Sequence, residues 1–357
     1  MKPRFFGKAR ARKASLRYNH PSRGVRLILV AGEYGKTTTA RYLAEVLRES
    51  GEKVAVFTNL GSDIEGSPYE AAYDTSADAI QCAIAKSRKS ASTVIMEVTP
   101  AFERAQTFET LQVEMVIATD DSARVHTVME HPTAYLVAPH TAHIKTRSIV
   151  PHQQITYGEE SDAEAHIGAI TLYRGGTEVE MTIDHQNNVM LSTYLLGKAN
   201  AYNVAAAIAA AYLLGCDRDV FEEGIARLEH IPGNLERVSS SRPFQIHLDR
   251  APHARSIDLI SESCKQLAKR RLLAACDSSI DEDSLVLLSD RCDRVTATTG
   301  NETHGRYVAS SADEAAELTL RAARKDDMVL LLGPAFTHLE DGIAHGAALA
   351  NGEEESA

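Results

Sequence analysis

Short apolar runs recur along this chain, separated by segments whose apolar positions repeat at helical spacing. Val25 to Val30 is the first such run, and it leads directly into Ala31-Gly-Glu-Tyr-Gly-Lys-Thr-Thr-Thr39. A helical pattern follows, with Ala40, Leu43, Ala44 and Leu47 on one face and Gly51 closing it. Further strand-like runs cover Lys53 to Thr58, Thr93 to Val98, Glu114 to Thr119 and Ala134 to Ala138, with a helix from Ser76 to Ser87 between two of them. This alternation predicts a parallel sheet covered on both faces. Ile170 to Tyr173 and Glu178 to Ile183, joined through Gly175-Gly176, read as a hairpin at the sheet margin.

An alanine-rich helix from Ala201 to Leu214 ends at Gly215, and another runs from about Asp219 to Leu228. Ile231-Pro-Gly-Asn234 is a turn, and Ser239-Ser-Ser241 reads as a linker. A second alternation follows. Its strands are Phe244 to Asp249, Leu272 to Cys276, Arg294 to Thr298 and Met328 to Leu332; its helices lie near Arg255–Lys269 and Ala312–Arg324. The expected fold is therefore α/β: a phosphate-loop central domain with a mostly parallel sheet, then a smaller Rossmann-like α/β domain. The expected boundaries are 1–24 for a basic leader, 25–238 and 242–350 for the two domains, and 351–357 for an acidic tail.

The length of 357 residues suits two domains. No apolar stretch is long enough to span a bilayer. The first twenty residues hold Lys2, Arg4, Lys8, Arg10, Arg12, Lys13 and Arg17 with no acid, and they lack the apolar core of a secretory signal. A solvated or helical leader is the expectation, with contact to an acidic surface as the alternative. The net charge of −11 argues against a general nucleic-acid binder. Five cysteines without paired metal spacing fit free thiols in a reducing cytoplasm.

Strand, glycine loop, Lys-Thr and helix together wrap backbone N–H groups around a phosphate, and the helix N-terminus adds partial positive charge. In that geometry Lys36 reaches the outer phosphates and the Thr37 hydroxyl ligates magnesium. His140-Thr-Ala-His143 has spacing that could seat a metal on a helix, but Pro139 and its surroundings indicate a loop with a structural or surface role.

Several segments, in order, resemble the Mur ligase family, whose members join an amino acid to a carboxylate at the expense of ATP. Gly32, Gly35, Lys36, Thr37 and Thr38 match its shortened phosphate loop, and Met96-Glu97-Val-Thr99 looks like the Met-Glu-Val-Ser segment whose glutamate helps hold magnesium. Gly197-Lys-Ala-Asn-Ala-Tyr-Asn203 resembles a stretch whose second Asn reads adenine. Ile231 to Val238 resembles the hinge into the last domain, and Leu248-Asp249-Arg-Ala251 is a weaker echo of a segment placing an aspartate by the nucleotide. The subgroup most like this chain adds the third stem-peptide residue to a UDP-muramyl dipeptide. Standard members begin with a UDP-gripping domain, which the roughly 25 residues before the first strand are too short to form.

The resemblance implies a cytoplasmic, ATP- and magnesium-dependent amide-bond ligase acting through an acyl phosphate in cell-wall peptide synthesis. It implies a carboxylate-bearing acceptor, such as a muramyl peptide, and an amino acid as partners. Lys36, Glu97 and His126 are the implied catalytic residues. Gly32, Gly35, Lys36, Thr37, Thr38, Asn203 and Asp249 would hold nucleotide, and Thr37 and Glu97 the metal. The sequence also departs from the pattern. Glu33-Tyr34 puts a carboxylate beside the phosphates, where it would repel them. Asn234 stands in place of an arginine, Gly333-Pro-Ala335 in place of Gly-Lys-Gly, and Thr127–Thr133, which should carry a carbamylated lysine, has none. Thr299-Gly-Asn-Glu302 bears only a faint likeness to the motif that reads the incoming amino acid. The alternative is a catalytically weak or inactive ATP-binding homologue acting as a partner or regulator.

Overall fold

The computed structural model describes residues 4–144, 153–184, 187–250, 253–302 and 305–337. The acidic tail lies outside them. The chain forms two compact units, one built from Met1–Thr171, Glu178–Thr193 and Asn200–Glu229, the other from Leu172–Thr177, Tyr194–Ala199 and His230–Ala357.

The leader is helical (α1, Arg4–Arg17), and β1 (Arg26–Ala31) follows. Next come α2 (Lys36–Glu49), β2 (Val54–Thr58), β3 (Gly61–Ile64), β4 (Ser67–Pro68), α3 (Ala77–Ser87), β5 (Thr93–Glu97), α4 (Pro100–Arg104), β6 (Met115–Ala118), α5 (Ala123–Val128) and β7 (Tyr135–Pro139). The chain continues through β8 (Gln153–Gly158), β9 (Ala165–Tyr173), β10 (Gly176–Ile183), β11 (Asn187–Thr193), α6 (Lys198–Leu213) and α7 (Phe221–Ala226). One sheet runs β11-β10-β9-β8-β7-β6-β1-β5-β2-β3-β4. Its centre is parallel: β5 and β6 flank β1 on either side, β2 pairs with β5, and β7 with β6. Strands β1, β2, β5 and β6 are apolar almost throughout because both faces are covered.

Helix α6 buries Asn200, Ala201 and every residue from Asn203 to Ala211. Its run of alanines has almost no amphipathic bias, and small side chains let neighbouring elements approach from all sides. The packing of α2 on α7 rests on a similar economy of volume. A Cβ on Gly224 would lie 2.6 Å from the Val46 backbone Cα.

The second unit begins its regular structure with β12 (Glu236–Val238), then β13 (Gln245–Asp249), α8 (Ala254–Leu267), β14 (Leu272–Cys276), α9 (Glu282–Arg291), β15 (Arg294–Ala297), β16 (Arg306–Val308), α10 (Ala312–Ala322) and β17 (Met328–Leu332). The sheet order is β12-β13-β17-β14-β15-β16, parallel except for the β12–β13 pair. Alternation sorts its residues onto two cores. Leu272, Ala274 and Cys276 face one, with Ile257 and Leu288; Leu273 and Ala275 face the other, with Ala315 and Phe336.

Two sequence expectations need correction here. The serine stretch at 239–241 is not where the second unit starts, because β12 already pairs into the second sheet through Glu236–Leu248 and Val238–Ile246. The helix expected from Asp219 to Leu228 is a 3-10 turn at 218–220 followed by the short α7. Helix α9, capped by the Asp281 carboxylate accepting the Ser284 N–H at 2.8 Å, adds a helix to those expected. The five cysteines are free, as expected.

Candidate functional site

The loop between β1 and α2 lies at the carboxyl end of β1, flanked by the ends of β5 and β6. Gly32 has φ 147° and Gly35 φ 74°, conformations that favour glycine. A side chain at Gly32 would overlap Thr119 Oγ1, and one at Gly35 would meet the Asn203 carboxamide. Both glycines are thus required by close approach as well as by backbone angle. Thr119, just past β6, fixes the loop from below by donating to the Tyr34 carbonyl at 2.6 Å.

Lys36 and Thr37 open α2. Lys36 is 8% exposed, and its ammonium donates to the Glu33 carbonyl at 3.0 Å and lies 3.9 Å from a Glu97 carboxylate oxygen. Burial pulls its pKa below the usual lysine value, while Glu97 opposes the shift and the nearby Arg124 adds to it. Glu97, at the end of β5 and 2% exposed, accepts the Thr37 hydroxyl at 2.7 Å and the Asn59 N–H at 3.3 Å. Thr37 also approaches Asn59 Oδ1 at 3.0 Å. The Glu97 main chain is pinned in turn, since Tyr73 donates its hydroxyl to the Glu97 carbonyl at 2.5 Å. One cation, one hydroxyl and one carboxylate are therefore held together, with Lys36 and Glu97 buried and Thr37 half-buried.

Those groups fit magnesium with a nucleotide. Magnesium is normally held by one or two carboxylate or hydroxyl oxygens plus substrate phosphates, not by a full protein cage. Thr37 and Glu97 offer two hard oxygens side by side. No group of three or more His, Cys, Asp or Glu placed for a metal exists among the described residues. His140 instead faces Thr156 and Asp162, at 3.1 and 3.2 Å.

Glu33 does not act as the isolated negative charge expected from sequence. Its carboxylate lies 2.8 Å from the Arg124 guanidinium, which also donates to the Gly32 carbonyl at 2.8 Å and sits 3.6 Å from Glu103. The Glu33 N–H is held by Asp120 at 2.5 Å. The repulsive residue is compensated by a clasp that also fixes the loop backbone. His126 is two residues beyond Arg124 on α5, about 200° around a helix. Its side chain makes no hydrogen bond or ion pair among the described residues.

Asn203 lies behind the loop. Its amide group donates to Asn200 at 3.1 Å, and its carbonyl oxygen accepts from Thr39 at 3.4 Å. In the second unit, Asp249 is buried at the end of β13 and accepts the Leu235 N–H at 3.0 Å, closing the 231–235 turn. Gly333 packs its backbone on Asp277, whose carboxylate accepts the Ala335 N–H at 2.8 Å.

The sequence reading missed Asn59, Thr119 and Asp120 as loop supports and the clasping role of Arg124. A signal existed: Asn59 follows β2 directly, and Thr119-Asp120 follow β6. Ligands of open α/β sheets collect at such carboxyl ends.

The fold and this loop geometry define an α/β protein shaped to bind a phosphate group. A model of the Mur ligase middle domain matches residues 128–211. A UDP-N-acetylmuramoyl-L-alanyl-D-glutamate–2,6-diaminopimelate ligase of Syntrophomonas wolfei is 24% identical over 292 residues, covering 74% of this chain and 59% of that protein. The folylpolyglutamate synthase of Mycobacterium tuberculosis, solved with ADP and AMPPCP, superposes with a TM-score of 0.72 at 15% identity, covering 94% of each chain. The MurF ligase of Thermotoga maritima, solved with ADP, gives 0.71 at 14% identity, covering 94% of this chain and 82% of that one. The chain is thus similar to Mur ligases in its middle segment, in its relatives and in its fold. It spans about three-fifths of the length of the curated relatives it matches.

Proposed function

We propose that this protein is an ATP-dependent ligase that joins a carboxylate to an amine in cell-wall peptide synthesis. The observation that carries this reading is the buried convergence of Lys36, Thr37 and Glu97 at the ends of β1 and β5. In the proposed reaction a carboxylate oxygen of the acceptor attacks the γ-phosphorus of ATP and ADP leaves. The amine nitrogen then attacks the acyl carbon, phosphate leaves, and the amide forms as the nitrogen loses a proton.

Lys36 would hold the outer phosphates and compensate charge as it shifts to the leaving oxygen. The loop N–H groups, fixed by Thr119 and Arg124, would bind phosphate oxygens without reorganising. Thr37 and Glu97 would hold magnesium, which when bound neutralises phosphate charge. Asn203, which braces the loop at Gly35 and Thr39, would read the adenine edge. Diaminopimelate-adding and folate-modifying ligases among the similar proteins support the carboxylate and amino-acid substrate classes.

A second reading, an ATP-binding homologue with little catalysis, is favoured by specific departures. Thr127–Thr133 holds no lysine, and Asn234 and Pro334 replace basic residues of the family pattern. ADP formation in the presence of magnesium, a UDP-muramyl dipeptide and candidate amino acids tests the two. Turnover that requires both acceptor and amine supports the ligase; tight ATP binding with no acceptor-dependent turnover supports the second reading.

A further inference from the structure

We infer that the leader helix forms one wall of a second binding site, a cationic cavity that takes a phosphate-bearing small molecule. The cavity, about 490 Å³, lies between α1, the start of α3 and α4. Arg10, Lys13 and Arg17 line it from α1 at positions i, i+3 and i+7, which share one helix face. Arg104 enters from α4. Asp78 is the sole carboxylate among the described lining residues, and it is already engaged by Arg17 at 3.0 Å and by the Tyr18 hydroxyl at 3.0 Å.

The helix that carries these charges is fixed in place. Ala11 and Ala14 are buried and cluster with Ala77 at the start of α3. Lys8 pairs with Glu109, and Tyr18 is tied to α3. By contrast, Arg10, Lys13 and Arg104 make no hydrogen bond or ion pair among the described residues. Holding like charges around a concavity is unfavourable unless an anion joins them. Ala14, Ala77, Ala101 and Ala105 leave room between the cations, and the volume suits a small molecule. Three of the four cations are guanidinium groups, whose forked donors match phosphate oxygens.

The cavity adjoins the phosphate loop through α4, which sends Glu103 toward Arg124 and Arg104 into the cavity. Asp74, just before the lining residues Thr75 and Ser76, hydrogen-bonds to Thr99, two residues past Glu97. The bound anion is thus assigned as part of the acceptor. That assignment rests on the ligase reading; the binding itself does not.

Calorimetric titration with pyrophosphate tests the site. It is done in Lys36→Ala protein, where the phosphate loop is disabled, and in wild-type protein presaturated with a non-hydrolysable ATP analogue. Saturable binding is expected in both, falling by about ten-fold or more, or roughly 1.4 kcal/mol, in the Arg10→Ser/Lys13→Ser/Arg104→Ser variant. These side chains are exposed, so the thermal transition should be unchanged. Removing three charges elsewhere, in Arg23→Ser/Lys53→Ser/Lys89→Ser, should leave binding intact. Citrate at equal charge should bind more weakly; equal binding would overturn the phosphate assignment. Absence of saturable pyrophosphate binding, equal loss in the remote variant, or binding only to RNA or anionic vesicles would overturn the site. If the ATP analogue fails to bind wild-type protein, the ligase reading falls, while the Lys36→Ala titration still decides the cavity.

Discussion

The two units treat their charged residues in opposite ways. In the first, Lys36, Thr37 and Glu97 meet one another beside the glycine loop at the mouth of a sheet. In the second, the carboxylates at matching strand ends are turned inward. Asp249 closes the Leu235 turn, and Asp277 holds Ser279 and Ala335. Both sheets have parallel centres, yet the first gathers a cation, a hydroxyl and a carboxylate beside one loop, whereas the second uses carboxylates to tie its own loops. A shared fold therefore does not distribute function evenly.

The largest effect should come from Lys36→Ala. It removes the buried ammonium over the loop, and ATP affinity measured by calorimetry should fall roughly hundred-fold. An unchanged affinity would break the comparison at its first half. Glu33→Gln sharpens it further: with Arg124 released from its partner, ATP affinity should stay level or rise, whereas an uncompensated Glu33 would have predicted a large gain.

Next is the pH response of the second unit. Burial lowers the His247 pKa from its usual 6.5 to about 4. The folded state thus binds the proton less readily than the unfolded state. The resulting stability is fully present above pH 6.5 and is lost as pH falls toward 4, with a ceiling of about 3 kcal/mol. Chemical denaturation at a series of pH values should show this loss, and His247→Phe should flatten it. A steeper loss in the variant would contradict the assignment.

Gly224→Ala should cost the first unit about 1–3 kcal/mol, because the new methyl meets the Val46 backbone and not a movable side-chain end. The thermal midpoint reports it. Asp249→Ala should cost about 1–3 kcal/mol of stability through the orphaned Leu235 N–H. The smallest effect expected is for Asn203→Ala, a narrowed preference for ATP over GTP; an unaltered preference would remove Asn203 from adenine recognition.

Much of the architecture was legible because periodicity reports burial. Strands such as Thr93–Glu97, apolar on both faces, and the turn glycines at 32 and 35 announce themselves. Helix α9 was missed because its apolar residues, Leu285 to Leu288, form one short contiguous run and not a repeat at helical spacing. The Lys36–Thr37–Glu97 grouping could be proposed from spacing and resemblance, since local motifs carry it. The Arg124–Glu33 clasp could not, because 91 residues of chain separate partners that only the β1–β6 pairing brings together. Asn59 was hidden for the same reason: its position beside Glu97 follows from the β2–β5 pairing, not from any local pattern.

The most direct test of the ligase reading is isotope transfer. A UDP-muramyl dipeptide with oxygen-18 in its carboxylate, incubated with the protein, magnesium, ATP and candidate amino acids, should yield inorganic phosphate carrying one labelled oxygen. That label can arrive only by cleavage of an acyl phosphate. The altered motifs should make this slower than the roughly 1–100 per second of competent phosphoryl-transfer enzymes. Phosphate released without label, or no phosphate at all from protein that binds ATP, would contradict the account.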